Sequence, residues 1–468
     1  MENIKVDNVI IGAGPGGYVA AIKLAQLGKE VLVIEKENLG GVCLNVGCIP
    51  SKALINAASV MDKIHVAQEM GFSISLGENF LDMDKLQSWK DKIVKKLTGG
   101  IGVLFKANKV KHIYGSAYFK DKNHLEVTNA EGKQIVEFNN CIIATGSSSI
   151  EIPGFKFDDK KILSSTGALA LNKIPEHLVV IGGGYIGLEI GTYFLKLGAK
   201  LTVVEGTPNL LGMMDQEMVA VAARKLKKKG ANILLETKAK EAKINGDKID
   251  VIVTDKNGQE QTINADYVMV TVGRKPNSKN LGLEDLGIEI EKGFIKVDKK
   301  LKTNIPHIYA LGDVVGGFML AHKASKEGIV AAEVIAGHKS EMDFYAMPAV
   351  VFTDPEIASV GLTDKEAIEK GHKIKIGKFP FAALGKALAS GESEGFVKLI
   401  MDEETEAILG LHVVGHEAAN LISEGALAIE MGATAEDIAL TIHPHPTLPE
   451  GIMEAAEAAM GKAIHIMN

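Results

Sequence analysis

Cysteine, arginine and long apolar runs are all scarce in this chain, and each shortage removes a class of protein. Three cysteines in 468 residues cannot form a disulfide scaffold, and a reducing compartment would open an ordinary structural bridge. The chain has two arginines, Arg224 and Arg274, and its formal net charge of -7 disfavours nucleic acid as a partner. The clustered lysines Lys225, Lys227, Lys228 and Lys229 read as a solvated helix face rather than a phosphate site. No uninterrupted apolar run approaches the roughly 18–20 residues needed to cross a bilayer, and the opening MENIKVDNVIIGAG enters a strand pattern without a basic leader. A cytoplasmic protein with no membrane or nucleic-acid partner is the expectation. What is abundant is ordinary: 46% hydrophobic and 24% charged residues, with 50 glycines against 13 prolines. A chain of this length predicts about three domains.

Against that scarcity, GGVCLNVGCIPSK (residues 40–52) holds both Cys43 and Cys48. A closed zinc site needs four Cys or His ligands, but Cys141 lies far away in the apolar CIIATGS and no histidine precedes His65, so no metal is expected. Two unrelated core thiols fit poorly, because Gly40, Gly41, Gly47 and Pro50 mark a turn running into a helix. A redox-active pair fits better. Residues five apart in a regular helix have Cα atoms about 8–9 Å apart, beyond the roughly 7 Å limit for a disulfide. A bridge here would need irregular backbone, and a strained bridge is easier to reduce.

An internal repeat adds cofactors. VIIGAGPGGYVAAIKLAQLGKEVLVIEK (9–36) aligns without a gap on VVIGGGYIGLEIGTYFLKLGAKLTVVEG (179–206). Gly12, Gly14, Gly17 and Glu35 fall on Gly182, Gly184, Gly187 and Glu205. Each copy reads as strand, glycine turn, helix, strand and acid, the dinucleotide-binding βαβ unit. The helix N-terminus receives the pyrophosphate, and the acid receives the adenosine ribose. Two copies predict two dinucleotides. Glu205 would repel a 2′-phosphate and neither arginine follows that strand, which favours NAD over NADP. A dinucleotide on the first copy would reach toward residues 40–52, and a flavin there could exchange electrons with a dithiol.

With these segments and IIATGS, TVGRKPN, TNIPHIYALGDV, LAHKA, FTDPEIASVGLT and HPHPTLPE, the chain resembles the pyridine nucleotide–disulfide oxidoreductases over essentially its whole length. Within them it is most similar to the branch that reoxidises dihydrolipoamide. The resemblance implies an α/β fold with two Rossmann-like domains and an α+β dimerisation domain. FAD would occupy residues 1–146 and 271–345, NAD residues 147–270, and the interface region would be 346–468. It implies a Cys43–Cys48 redox disulfide, with Cys43 facing substrate and Cys48 facing the flavin. Cys141 is expected to be an inert buried thiol. Further FAD contacts would come from Glu35, Asp313 on the ribityl chain, Thr145, Gly146, Ala321 and Lys52, the last paired with Glu189. Gly273 would join the NAD site with Gly182, Gly184, Gly187, Glu189 and Glu205.

His445 would be the general base, oriented by Glu450 and reaching into the partner subunit's site, so that a homodimer is required. The carrier partner would be a lipoylated protein, either an E2 component or the glycine cleavage H protein. Two positions depart from the family pattern: Val42 stands where a threonine is common, and Pro449 where a small hydroxyl residue is common. Other readings remain: a disulfide reductase for a different thiol, or a nucleotide-binding scaffold with a silent disulfide. Nothing after Cys141 is cysteine, which disfavours a mercuric reductase, and the missing arginines disfavour glutathione reductase.

Overall fold

The computed structural model describes residues 3–77 and 80–467. Two compact units emerge, one formed by Met1–Leu54, Asp82–Ile150 and Gly273–Asp343, the other by Ile55–Leu81, Glu151–Val272 and Phe344–Asn468.

The first unit is built on strand β1 (Asn3–Ile11), helix α1 (Pro15–Gln26) and strand β2 (Val31–Glu35). All five residues of β2 are buried, as expected for a parallel strand covered on both faces. Helix α2 (Gly41–Val46) follows, then α3 (Cys48–Glu69), which belongs to this unit only as far as Leu54, and α4 (Met83–Ala107). Strands β3 (Lys111–Tyr114), β4 (Ser116–Phe119), β5 (His124–Asn129) and β6 (Gly132–Ile143) complete a sheet of order β3-β2-β1-β6-β5-β4. Its β3 to β6 half is parallel, and Ile308–Ala310 joins it alongside β6. Ala20, Ala21 and Leu24 of α1 share a core with Val330, Ala331 and Ala332 of helix Ala321–Ile335. Strand β7 (Ser147–Ser149) pairs antiparallel with Arg274–Pro276.

The second unit repeats the plan. Strand β8 (Ile162–Leu163), helix α5 (Ser165–Leu169), strand β9 (His177–Ile181), helix α6 (Tyr185–Lys196), strand β10 (Lys200–Val204), helix α7 (Gln216–Lys228) and strand β11 (Asn232–Leu234) give a parallel sheet, with Tyr267–Val270 between β9 and β8. The unit ends in a five-stranded antiparallel sheet spanning Ala349–Val351 to Ile408–Gly415. That sheet's core joins Phe379, Phe381, Leu399 and Leu411 to Ile452 of helix Glu450–Ala459. Two parallel βαβ sheets and an α+β C-terminal region match the fold class expected from the sequence.

The lysine cluster on α7 is not a uniformly solvated face. Lys225 binds Asp354 at 2.7 Å and Lys229 binds Asp62 at 2.5 Å, while Lys227 and Lys228 are exposed. Composition alone overlooked that α7 ends against acids distant in sequence. Among the described residues no helix is long and apolar enough to cross a membrane.

Candidate active site

The two glycine loops are alike down to their hydrogen bonds. Gly12 and Gly182 have φ of 102° and 103°, which only glycine adopts freely. Their N–H groups donate to Ile34 and Val204 carbonyls at 2.8 and 2.9 Å. A Cβ on Gly17 would stand 2.0 Å from the Gly12 oxygen, and one on Gly187 2.4 Å from the Gly182 oxygen. Helix and strand therefore meet at a spacing that excludes any side chain. Gly14 and Gly184 start α1 and α6 with no side-chain cap, and a Cβ on either would meet nothing within 4 Å. The first-turn N–H groups are thus left for an anion. Both loops fit a dinucleotide pyrophosphate.

The acids do more than the sequence suggested. Glu35 accepts from Ala13 N at 2.7 Å and Glu37 N at 2.8 Å. Glu205 accepts from Gly183 N and Thr207 N, both at 2.7 Å. Each carboxylate braces its own glycine loop and keeps lone pairs for a ribose diol.

The redox segment is seated directly on the first loop. Gly40 N donates to Ala13 O at 2.8 Å, and Gly41 lies so close that a Cβ there would be 2.7 Å from the Gly14 Cα. Cys43 was expected in an irregular turn; it lies instead within the short helix α2. The break comes at Gly47, with φ -133° and ψ -107°, between the two cysteines, and α3 begins at Cys48 with Lys52 one turn later. Asn45 closes the segment by donating to the carbonyls of Leu39 and Gly41, both at 2.9 Å.

Cys43 and Cys48 are thiols here, Cys43 half-buried and Cys48 exposed. The hydrogen bond with Cys48, then burial and the Cys48 charge, push the Cys43 thiol well up, with Lys52 opposing. Tyr18 of α1 also faces the pair: burial, and behind it the Cys43 charge, raise its phenol. Cys141 is fully buried and burial alone raises its thiol, as expected of an inert core cysteine.

Asp313 lies in the one-turn 3-10 helix Gly312–Val315. It accepts from Ser147 Oγ at 2.5 Å, and Ser147 Oγ in turn accepts from Arg274 Nε at 2.7 Å. Arg274 also donates to the Ser147 carbonyl at 2.7 Å and stands 4.0 Å from Asp313. On its other side the turn is held by Glu327, which accepts from Gly312 N at 2.7 Å and pairs with Lys323 at 2.5 Å. Burial raises the Glu327 carboxyl even against Lys323.

Thr145 and Asn277 exchange hydrogen bonds of 2.8 and 2.9 Å, and Gly146 O accepts from Asn277 N at 2.9 Å. Gly273 O accepts from Ile150 N at 3.1 Å, and Ala321 begins its helix without a side-chain cap. Sequence reasoning missed Ser147, Arg274 and Asn277. Their common signal was a polar residue following ATG or lying in TVGRKPN.

In the second unit, Glu189 is buried and accepts from Phe352 N at 3.0 Å. His445 Nδ1 lies 2.8 Å from Glu450 Oε1 while its ring is 78% exposed. The other Glu450 oxygen accepts from Thr447 N at 2.7 Å. Burial tends to raise the Glu450 carboxyl, but the Thr447 and His445 hydrogen bonds outweigh it and hold it below the ordinary range. His443 is the buried member of the pair, fixed between Thr441 O at 2.8 Å and Glu424 at 2.9 Å. Only His445 presents a free ring face to solvent. Pro449 precedes the first residue of helix Glu450–Ala459, where proline is tolerated, and leaves the dyad intact. Val42 is exposed. Among the described residues no His, Cys, Asp and Glu group could hold a metal ion.

Comparison with known proteins gives the family. Residues 6–328 match the pyridine nucleotide-disulphide oxidoreductase family, and residues 347–456 its dimerisation domain. The chain is 52% identical over 467 residues to a dihydrolipoyl dehydrogenase of Geobacillus stearothermophilus, covering 99% of this chain and 98% of that one. It is 47% identical over 465 residues to a dihydrolipoyl dehydrogenase of Haloferax volcanii, covering 98% and 97%. Among solved structures, LpdA of Mycobacterium tuberculosis superposes with a TM-score of 0.90 at 27% identity, covering 97% of this chain and 99% of that one. The flavoprotein disulfide reductase RclA of Escherichia coli superposes with a TM-score of 0.85 at 27% identity, covering 96% and 99%. With two matched dinucleotide loops, a thiol pair seated on the first of them and family matches spanning nearly every residue, the chain belongs to the pyridine nucleotide-disulphide oxidoreductase family.

Proposed function

We propose that the chain is an FAD-containing, NAD-linked dihydrolipoyl dehydrogenase. The carrying observation is the hydrogen-bonded Cys43–Cys48 pair at the break between α2 and α3, anchored on the first phosphate loop. FAD is held by residues 1–146 and 271–345, through Gly12, Gly14, Gly17, Glu35, Lys52, Thr145, Gly146, Asp313 and Ala321. NAD is held by residues 147–270, through Gly182, Gly184, Gly187, Glu189 and Glu205, with Gly273 at the edge. Residues 346–468 form the homodimer interface, and His445 with Glu450 serves the partner's thiol pair.

The chemistry starts from the oxidised pair. His445, its tautomer held by Glu450, takes a proton from one thiol of dihydrolipoamide. The resulting thiolate attacks Cys43 Sγ, which breaks the Cys43–Cys48 bond and releases Cys48 as thiolate. The second substrate thiol attacks the sulfur now bonded to Cys43, its proton passing to the departing Cys43 sulfur. That closes the lipoyl disulfide and frees Cys43. Cys48 can hold the negative charge because it opens a 22-residue helix and lies one turn from Lys52. FAD held on the first loop would supply the two-electron relay from the Cys48 thiolate to NAD+.

The natural substrate is the lipoyl group of a carrier protein in the cytoplasm, an E2 component or a glycine cleavage H protein. A chain with three cysteines fits that reducing setting. To test the proposal, NAD+ reduction is followed with dihydrolipoamide and with glutathione side by side. Turnover with dihydrolipoamide alone is expected; preference for glutathione, or none with either, would overturn the assignment.

A further inference from the structure

We infer that Asp62 and Asp354 form a charge clamp that positions the nucleotide helix α6 for hydride acceptance. This inference rests on reading the Gly184 loop as the NAD site. Lys196, the last residue of α6, is 8% exposed and lies 2.6 Å from Asp62 and 2.9 Å from Asp354. Lys229 at the end of α7 binds the other oxygen of Asp62 at 2.5 Å, and Lys225 the other oxygen of Asp354 at 2.7 Å. Glu394 completes the cluster, 3.5 Å from Lys225.

Four segments meet here: the distal part of α3, the ends of α6 and α7, and the FTDP loop. That loop grips α6 twice, through Phe352 N on Glu189 at 3.0 Å and through Asp354 on Lys196. Residues 189 and 196 are two turns apart on one helix face.

Buried ion pairs add little net stability over apolar packing, so their value here is geometric. Helix α6 spans 12 residues, roughly 18 Å. Its uncapped start at Gly184 faces the dinucleotide and its end is held by the clamp. A rod fixed at the far end orients the near end. Asp62 and Asp354 act through the lysines of α6 and α7 and are positioning residues.

The test uses the full-length FAD-loaded enzyme and its two half-reactions, read by rapid-mixing absorbance. The first is anaerobic reduction by dihydrolipoamide, the second reoxidation of the reduced enzyme by NAD+. Asp62→Asn is expected to leave the first within twofold. It should slow the second and raise KM for NAD by about tenfold in all, a fraction of what a 1 Å misplacement can cost. Lys196→Met should reproduce the effect, the double variant should be no worse than either single, and Asp62→Glu should return to within about twofold of wild type.

An unchanged NAD limb, equal slowing of both limbs, or a lowered melting temperature alone would overturn the inference. Should Asp62→Asn not fold, Lys229→Gln removes one arm of the clamp from a more exposed site, and an unaltered NAD limb there overturns it equally. If the wild type itself is not reduced by dihydrolipoamide, the functional assignment fails, whereas the clamp is still judged by NADH binding to wild type and variant.

Discussion

Adding one methyl group to each glycine loop separates the two nucleotide sites. In Gly17→Ala the new Cβ would stand 2.0 Å from the Gly12 oxygen; in Gly187→Ala it would stand 2.4 Å from the Gly182 oxygen and 2.6 Å from Thr271 Oγ1. A Cβ needs about 3 Å from such atoms, so α1 must retreat by roughly 1 Å and α6 by roughly 0.6 Å. Overpacking of this kind costs about 1–3 kcal/mol, and each 1.4 kcal/mol is tenfold in affinity. The displaced element is the helix start that receives the pyrophosphate, so the cost falls on binding. Gly187→Ala should purify with full flavin and bind NADH roughly 10- to 100-fold more weakly, measured by fluorescence titration. Gly17→Ala should purify depleted in FAD, measured from absorbance of the released flavin. Flavin loss in Gly187→Ala with NADH binding intact would reverse the assignment of the loops, and no effect in either would refute the packing argument.

Three further outcomes follow from the site. Cys43→Ser should leave Cys48 as an unbridged thiolate against the flavin and produce a long-wavelength charge-transfer band without reductant, while Cys48→Ser should not; the reverse pattern would exchange the roles of the sulfurs. His445→Ala should lose two to four orders of magnitude with dihydrolipoamide yet keep NADH oxidation by an artificial acceptor, and equal loss in both assays would remove His445 from the thiol step. Burial tends to raise the Asp354 carboxyl, but Lys196 and Lys225 hold it below its ordinary value of 3.8. A depressed folded-state value means that its stabilisation is complete above about pH 4 and is lost as pH falls through the folded value. Asp354→Asn should therefore melt below wild type at pH 7, by about 3 kcal/mol for a broken buried pair. The two curves should converge in acid, and a constant gap would show that the charge is not responsible.

The parts of this protein that the sequence alone determined are those ruled by local sterics and spacing. Gly17 and Gly187 were legible because any side chain there collides with the backbone oxygen five residues back, and Gly12 and Gly182 because the turn gives them a positive φ. Cys48 and Lys52 were legible because a helix brings residues four apart together, and Gly47 because a bridge across five positions needs a break. The roles of His445 and Glu450 came from resemblance, since a proline-rich loop with two histidines has no period to read.

Tertiary structure alone decided which of those histidines is locked and which is open, and it drew Ser147 and Arg274 around Asp313 from 166 and 39 positions away. It also turned Lys225 and Lys229 from an apparent solvated face into ion-pair partners of Asp354 and Asp62. The physical reason is common to all of these. A charged or hydroxyl side chain carries no local steric signature, so whether it meets water or a partner depends on which distant segment the fold lays beside it.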